Sequence, residues 1–146
     1  MGEILVIKGE IDEDVAPYFF WRWVDGFGVA FTTASVISGG ITLRVYDLSG
    51  DNPNTAVLTL SSLDPNTTTS ENARPLMYDT LQTDGWSKDN IGYNAFYLPD
   101  ISSLSTSATY GGHVLRWEFE AQLAATLGSG IAAMAFETKI RPRKSG

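Results

Sequence analysis

Cysteine is absent from the 146 residues, which excludes disulfide staples, thiolate nucleophiles and sulfur-held zinc without identifying a redox compartment. Histidine occurs once, as His113, so chemistry that relies on an imidazole base near neutral pH has a single candidate. Positive charge is scarce as well: 10 Lys and Arg stand against 17 Asp and Glu, a formal net charge of -7. Such a surface repels phosphate backbones and has no basic stripe from which counterions could be released, so nucleic acid is not an expected partner. No apolar run approaches the roughly 18 residues that span a bilayer as a helix, and no basic-then-apolar leader opens the chain, so a soluble protein without a membrane partner is expected. No internal repeat recurs at a fixed period.

What remains is the material of one core. Apolar residues make up 43% of the chain and aromatics 12%, with 4 Trp, and the length suits a single domain over residues 1–146 better than two undersized ones. Strand-type alternation dominates. Ile4 to Lys8 reads as a buried strand, and Tyr18 to Val24, with Phe19, Phe20, Trp21 and Trp23 around Arg22, suits a pleated sheet. Phe31 to Ile37, a turn at Gly39-Gly40, and Ile41 to Tyr46 read as a hairpin. Ala56 to Leu60, Leu76 to Leu81 and Tyr93 to Leu98 follow, with Ser61 to Arg74 expected as a long polar loop.

His113 to Ala121 alternates most regularly, with Leu115, Trp117 and Phe119 on one face and Arg116, Glu118 and Glu120 on the other. Gln122 to Leu127 has some helical character. Gly128-Ser129-Gly130 fits the tip of a hairpin closed by the strand holding Ala132, Met134, Phe136, Thr138 and Ile140. Trp21, Trp23 and Trp117 are expected in the core.

Residues able to do chemistry are few. His113, after Gly111-Gly112, reads as a rim histidine satisfied by backbone groups, and the loop serines 102, 103, 105 and 107 lack a nucleophile-elbow pattern. Glu118 and Glu120 share a strand face at roughly 7 Å, a spacing that glycosidases use and that solvated sheets use more often. Asp47, Asp51 and Asn52, and again Asp84, Asp89 and Asn90, offer hard oxygen ligands without the spacing of a calcium loop. They are expected to make turns instead. No phosphate-cradling or dinucleotide motif is present, and no cofactor or metal is expected. Asn66-Thr67-Thr68 matches a glycan acceptor in form alone.

Partner binding has better candidates. Trp86 and Tyr110 lie among Gly, Ser, Thr and Asp and are the plausible exposed aromatics. Asp12 and Asp14 sit in an acidic segment near one end, and Arg141, Arg143 and Lys144 form a basic tail at the other. Opposite-charge ends can pair between neighbouring copies in an assembly, or stay solvated.

Four short stretches carry a resemblance: Lys8-Gly9-Glu10; Thr42-Leu43-Arg44-Val45-Tyr46-Asp47; Asp84-Gly85-Trp86 leading to Gly92-Tyr93-Asn94; and Gly111-Gly112-His113 before Arg116 and Glu118. In order they resemble small immunoglobulin-like β-sandwich proteins of tailed-phage virions, with a layout similar to the N-terminal domain of phage baseplate upper proteins. About eight or nine short strands with fairly regular turn signals indicate an all-β sandwich or barrel; the resemblance implies the antiparallel, immunoglobulin-like sandwich and a structural role without catalytic residues. The expected location is the virion, after synthesis in the host cytoplasm. Its partners would be other virion proteins, capsid or tail subunits, with a homo-oligomer compatible. Because no fibre-forming region follows the sandwich, a head decoration, neck or tail component is as strong an expectation as a baseplate part. The competing expectations are a carbohydrate-binding module stacking sugars on Trp86 and Tyr110, with Asp84 or Asn90 on their hydroxyls, and, more weakly, a glycosidase acting through Glu118 and Glu120.

Overall fold

The alternating segments become strands in the computed structural model, which describes residues 5–12, 19–25, 27–66, 75–84, 86–97 and 112–141. Among these residues the chain is all-β, with eight strands: β1 Leu5–Asp12, β2 Phe19–Trp21, β3 Val36–Asp47, β4 Ala56–Leu63, β5 Met77–Gln82, β6 Tyr93–Tyr97, β7 Val114–Leu123 and β8 Ile131–Arg141. The larger sheet has the order β1-β8-β7-β3-β4 and the smaller β2-β6-β5. The two share one core.

The period-two pattern of β7 puts Leu115, Trp117, Phe119 and Ala121 inside and leaves Arg116, Glu118 and Glu120 half-exposed outside. Ile41, Leu43 and Val45 of β3 and Met134, Phe136 and Ile140 of β8 fill the same interior. From the facing sheet, Phe19 packs 5.1 Å from Trp117 and 4.7 Å from Phe136, centroid to centroid, and Trp21 lies 4.8 Å from Phe119. Each large apolar side chain buried this way contributes about 1.5–3 kcal/mol, and these tilted aromatic pairs hold the two sheets together where no disulfide can. Trp21, Trp23 and Trp117 are all core residues, as expected.

Polar groups inside are nearly all paired. The indole N–H of Trp117 donates to Thr138 Oγ1 at 2.9 Å. Asn94 accepts the Trp23 N–H at 2.6 Å and donates to the carbonyls of Trp23 and Phe31, both at 2.8 Å, so the chain leaving β2 is fastened to the start of β6. Among the described residues Trp21 Nε1 is the one buried side-chain donor lacking a partner.

Three expectations are corrected. The sheets are not wholly antiparallel: β1 runs parallel to β8, with Leu5 opposite Met134 and Asp12 opposite Arg141. A parallel neighbour needs a long crossover, and here nearly the whole chain lies between the two strands. Gly39-Gly40 does not reverse the chain, because β3 runs on through it. Val36 opposes Leu123 and Ile41 opposes Ala121, so the extra residues of β3 are absorbed as a bulge. Gly39 has φ +67°, and a Cβ on Gly40 would lie 2.7 Å from Ile37 Cγ1, so this kink requires the two glycines. The segment before it, expected to be extended throughout, contains a short 3-10 turn at Thr33–Ser35, where Thr32 and Ser35 bond each other in place of a ladder.

Smaller differences concern boundaries. β4 continues to Leu63 instead of ending at Leu60, through a residue of positive φ, Ser62; the part of the expected polar loop at 67–74 lies outside the described residues. The helical character after Gln122 becomes a 3-10 turn, Ala125–Leu127, and Gly128 and Ser129, both at positive φ, turn the chain into β8 as anticipated.

Candidate functional site

Sheet topology decides which loops meet. Arg22, just past β2, pairs with Asp89 of the β5–β6 loop at 3.0 Å and donates to the Gly92 carbonyl at 2.9 Å. The 3-10 turn before β3 is tied to β5 by Thr33 N–H and Oγ1, both 2.8 Å from Asp79. It is tied to the β7–β8 loop by the Ala124 N–H donating to the Ser35 carbonyl at 2.8 Å. Asp64, after β4, accepts the Gly39 N–H at 2.6 Å. The connections 22–35, 64–66, 83–92 and 124–130 therefore gather at one end of the molecule.

Among the described residues, that end holds most of the large apolar side chains left in solvent. Val24, Phe27, Val29, Ile37, Leu81, Ile91, Leu127 and Ile131 are exposed there, against Leu48 and Val57 at the opposite end. Single exposed apolar residues need no explanation, but their concentration on one surface does. Phe27 is the extreme case at 96% exposure. Its turn is built: Asp25 Oδ1 accepts the N–H of Phe27 at 2.8 Å and of Val29 at 3.0 Å, and the Asp25 and Val29 backbones bond at 2.9 Å. Gly28, at φ +81°, completes the reversal, and Val24 bridges Ala30.

Trp86, expected as an exposed aromatic, is half-buried. Its ring lies 5.6 Å from Tyr93 and its indole N–H donates to Asp89 at 2.8 Å. It belongs to a second aromatic cluster with Tyr93, Phe96, Phe20 and Tyr78, and Lys88 Nζ stands 5.9 Å from the ring centroid. The Trp86 indole, the backbone N–H groups of Ile91 and Gly92, and the Arg22 guanidinium hold the Asp89 carboxyl well below the usual carboxylate range. The Thr33 N–H and hydroxyl lower that of Asp79.

Both groups carry more protons in the unfolded chain than in the folded one once pH falls below the ordinary carboxylate value of about 3.9. Their stabilising contribution is thus complete above that value and declines as pH drops toward the depressed folded pKa. Asp89→Asn is expected to flatten the fall of melting temperature between about pH 5 and pH 2.5, measured beside the unaltered protein. Identical slopes would show that this carboxylate does not anchor the loop.

The remaining candidates fall apart spatially. His113 is held by Asp47 through Nδ1, 2.8 and 3.0 Å from its two carboxylate oxygens, so its partner is a carboxylate and not only backbone. Asp47 also accepts the Ser49 N–H at 3.1 Å. The pair lies at the opposite end from the exposed apolar loops. Glu118 lies 2.6 Å from Arg116 Nε, and Glu120 lies 3.3 Å from Arg44, so each glutamate faces its own arginine on the outer sheet surface.

Beside Glu118 a shallow groove of about 380 Å³ is lined by Tyr46, Leu48, Pro53, Asn54, Arg116 and Glu118. Asp47 turns to His113. Asp84 accepts the Tyr93 hydroxyl at 3.0 Å, while Asp89 serves Trp86 and Arg22. Among the described residues no three His, Cys, Asp or Glu come together as a metal site, and no helix is long and apolar enough to cross a membrane.

The strands next to the acidic and basic ends are neighbours in the larger sheet. In the parallel pairing of β1 with β8, Glu10 is the register partner of Lys139 and Asp12 that of Arg141. Asp14, Tyr110, Arg143 and Lys144 lie outside the described residues, as do the loop serines 102, 103, 105 and 107. Sequence reasoning missed Asp25 and Phe27; the signal was Asp25-Gly26-Phe27-Gly28, a lone aromatic between turn formers. It also missed the Asp47–His113 pair, which no local spacing announces.

Comparison of the chain with family models, with curated proteins and with solved structures finds no match in any of the three.

Proposed function

We propose that this chain is an immunoglobulin-like sandwich that works as a non-catalytic protein-binding part of a tailed-phage particle, docking on capsid or tail subunits in many copies. The finer fold assignment is supported by strand order. The sequence β8-β7-β3-β4 in one sheet and β2-β6-β5 in the other corresponds to G-F-C-C′ and B-E-D of a variable-type immunoglobulin domain, with β1 on the outer side of the last strand. The tilted ring contacts of Phe19 and Trp21 on β2 with Trp117 and Phe119 on β7 join the two strands that correspond to those carrying the inter-sheet disulfide of antibody domains.

The observation that carries the binding reading is the concentration of exposed apolar side chains on the loops and strand ends at one end, around Phe27. In immunoglobulin architecture such loops are the usual recognition surface because the rigid sheets fix them while their side chains are free to vary. The particle assignment rests on the resemblance of the four short motifs given above. Many identical contacts multiply through effective concentration, so each can be weak. Mass spectrometry of purified particles from the source is expected to find this protein at multiple copies per particle. Its consistent absence from particles would overturn the assignment.

A further inference from the structure

We propose that Phe27 is a preformed anchor that inserts into an apolar pocket on a partner protein, and that the rim of that pocket is basic. This inference rests on the protein-binding reading above and specifies its contact. A side chain 96% exposed on a mobile tip would lose conformational freedom on docking, yet this one is carried by a closed turn. Asp25 Oδ1 receives two backbone N–H groups, the Asp25 and Val29 backbones bond, and Val24 bridges Ala30.

The base of the turn is fastened to the sheet through the buried Asn94 amide. Such preorganisation lowers the ordering penalty of association, and rigid aromatic anchors are the residue type that dominates binding energy at interfaces. Val29 and Val24 extend the apolar surface around it.

Charge selects the kind of pocket. Asp25, Asp64, Asp79, Asp84 and Asp89 lie at this end, against Arg22 and Lys88 among the described residues, and Arg22 is paired with Asp89. The hydrogen bonds that lower the pKa of Asp79 and Asp89 keep those two groups anionic. An apolar tip inside an acidic surround is repelled by anionic lipid and by a second copy of a chain whose net charge is -7. It is attracted by Lys and Arg around a pocket.

The test replaces Phe27 by the photo-crosslinker p-benzoylphenylalanine in the protein expressed in its source, with Val57, at the opposite end, replaced in a control. The result expected is one protein adduct formed from position 27 and not from position 57. The crosslinked peptide should map to an apolar pocket flanked by Lys or Arg, with a yield that falls as salt is raised. Affinity for that partner, once purified, is expected to drop about thirtyfold or more for Phe27→Ala and to be largely retained for Phe27→Trp. Equal adducts from both positions, none from position 27, an adduct with lipid or with a second copy, or an acidic pocket rim would each overturn the proposal. Adducts from position 57 alone would leave the chain a protein binder while removing the anchor. A basic-rimmed adduct from position 27 with a protein foreign to particles would keep the anchor and remove the virion assignment.

Discussion

Trp117→Ala is expected to remove about 3–5 kcal/mol, the range for deleting a large buried aromatic. Against a total stability of about 5–15 kcal/mol for a domain of this kind, little folded protein should remain at a few molar urea. The reason lies in where Trp117 stands: it is fully buried on β7, packs on Phe19 across the sheets and donates its indole N–H to Thr138. Removing it opens a cavity at the junction of both sheets and orphans a buried hydroxyl together.

Trp117→Phe separates the two effects. It keeps most of the ring and leaves Thr138 without its donor, a loss of about 1–3 kcal/mol, and adding Thr138→Val should recover much of that. Trp21→Phe is the internal control, because the Trp21 N–H is buried without a partner and no hydrogen bond is lost. Equilibrium urea unfolding reads all four variants. If the phenylalanine substitutions at 21 and 117 cost the same, the Trp117–Thr138 bond contributes nothing measurable.

Asn94→Asp is expected to destabilise by at least about 3 kcal/mol at neutral pH, the scale of an uncompensated buried charge. Asn94 is 1% exposed and its amide group donates to two carbonyl oxygens. An ionised carboxylate at that place has nothing to donate and faces both oxygens, so the charged form is disfavoured and the introduced carboxyl acquires a folded-state pKa above its unfolded value of about 3.9. With the folded pKa raised, the unfolded state binds fewer protons over the interval between the two values, and the variant loses stability as pH rises through it. The penalty should therefore be smallest near pH 4 and grow toward neutrality, the reverse of the acid sensitivity argued for Asp89.

Urea midpoints at a series of pH values decide this, and a penalty independent of pH would mean that the carboxylate had found solvent. Backbone amide exchange adds a local reading. The N–H groups of Trp23 and Phe31 should lose protection first, because the chain between β2 and β3 is the part that this amide fastens. Since the same fastening carries the turn of Phe27, the substitution should weaken partner binding even under conditions where the sheets stay folded.

How much of this was legible beforehand differs by element. The alternation of Leu115, Trp117 and Phe119 with Arg116, Glu118 and Glu120 was sufficient to assign β7, its inward face and its solvent face, because side chains on a strand point to opposite sides in turn. The three core tryptophans followed from the same rule. Gly39-Gly40 misled, since paired glycines permit both a reversal and a bulge, and the choice depends on whether β3 finds β7 on both sides of the kink. Trp86 misled in part, because polar neighbours along the chain say nothing of Tyr93, which packs beneath it from another strand.

The candidate site was the least legible part. Phe27 sits in a short glycine-flanked stretch that carries no periodicity, and its meaning comes from Asn94, Asp79, Asp89 and Ala124, which reach the loop end from four other segments. By itself the sequence determined the all-β class, the interior faces of β3, β7 and β8, and the exclusion of thiol chemistry. Those depend on composition and on period two, both local. Only tertiary structure decided that β1 lies parallel to β8, with Glu10 and Asp12 in register with Lys139 and Arg141, that His113 meets Asp47, and that the exposed apolar residues among those described collect at one end. Each of these depends on which distant strands become neighbours, and that is settled by the summed burial of both sheets and not by any stretch of chain alone.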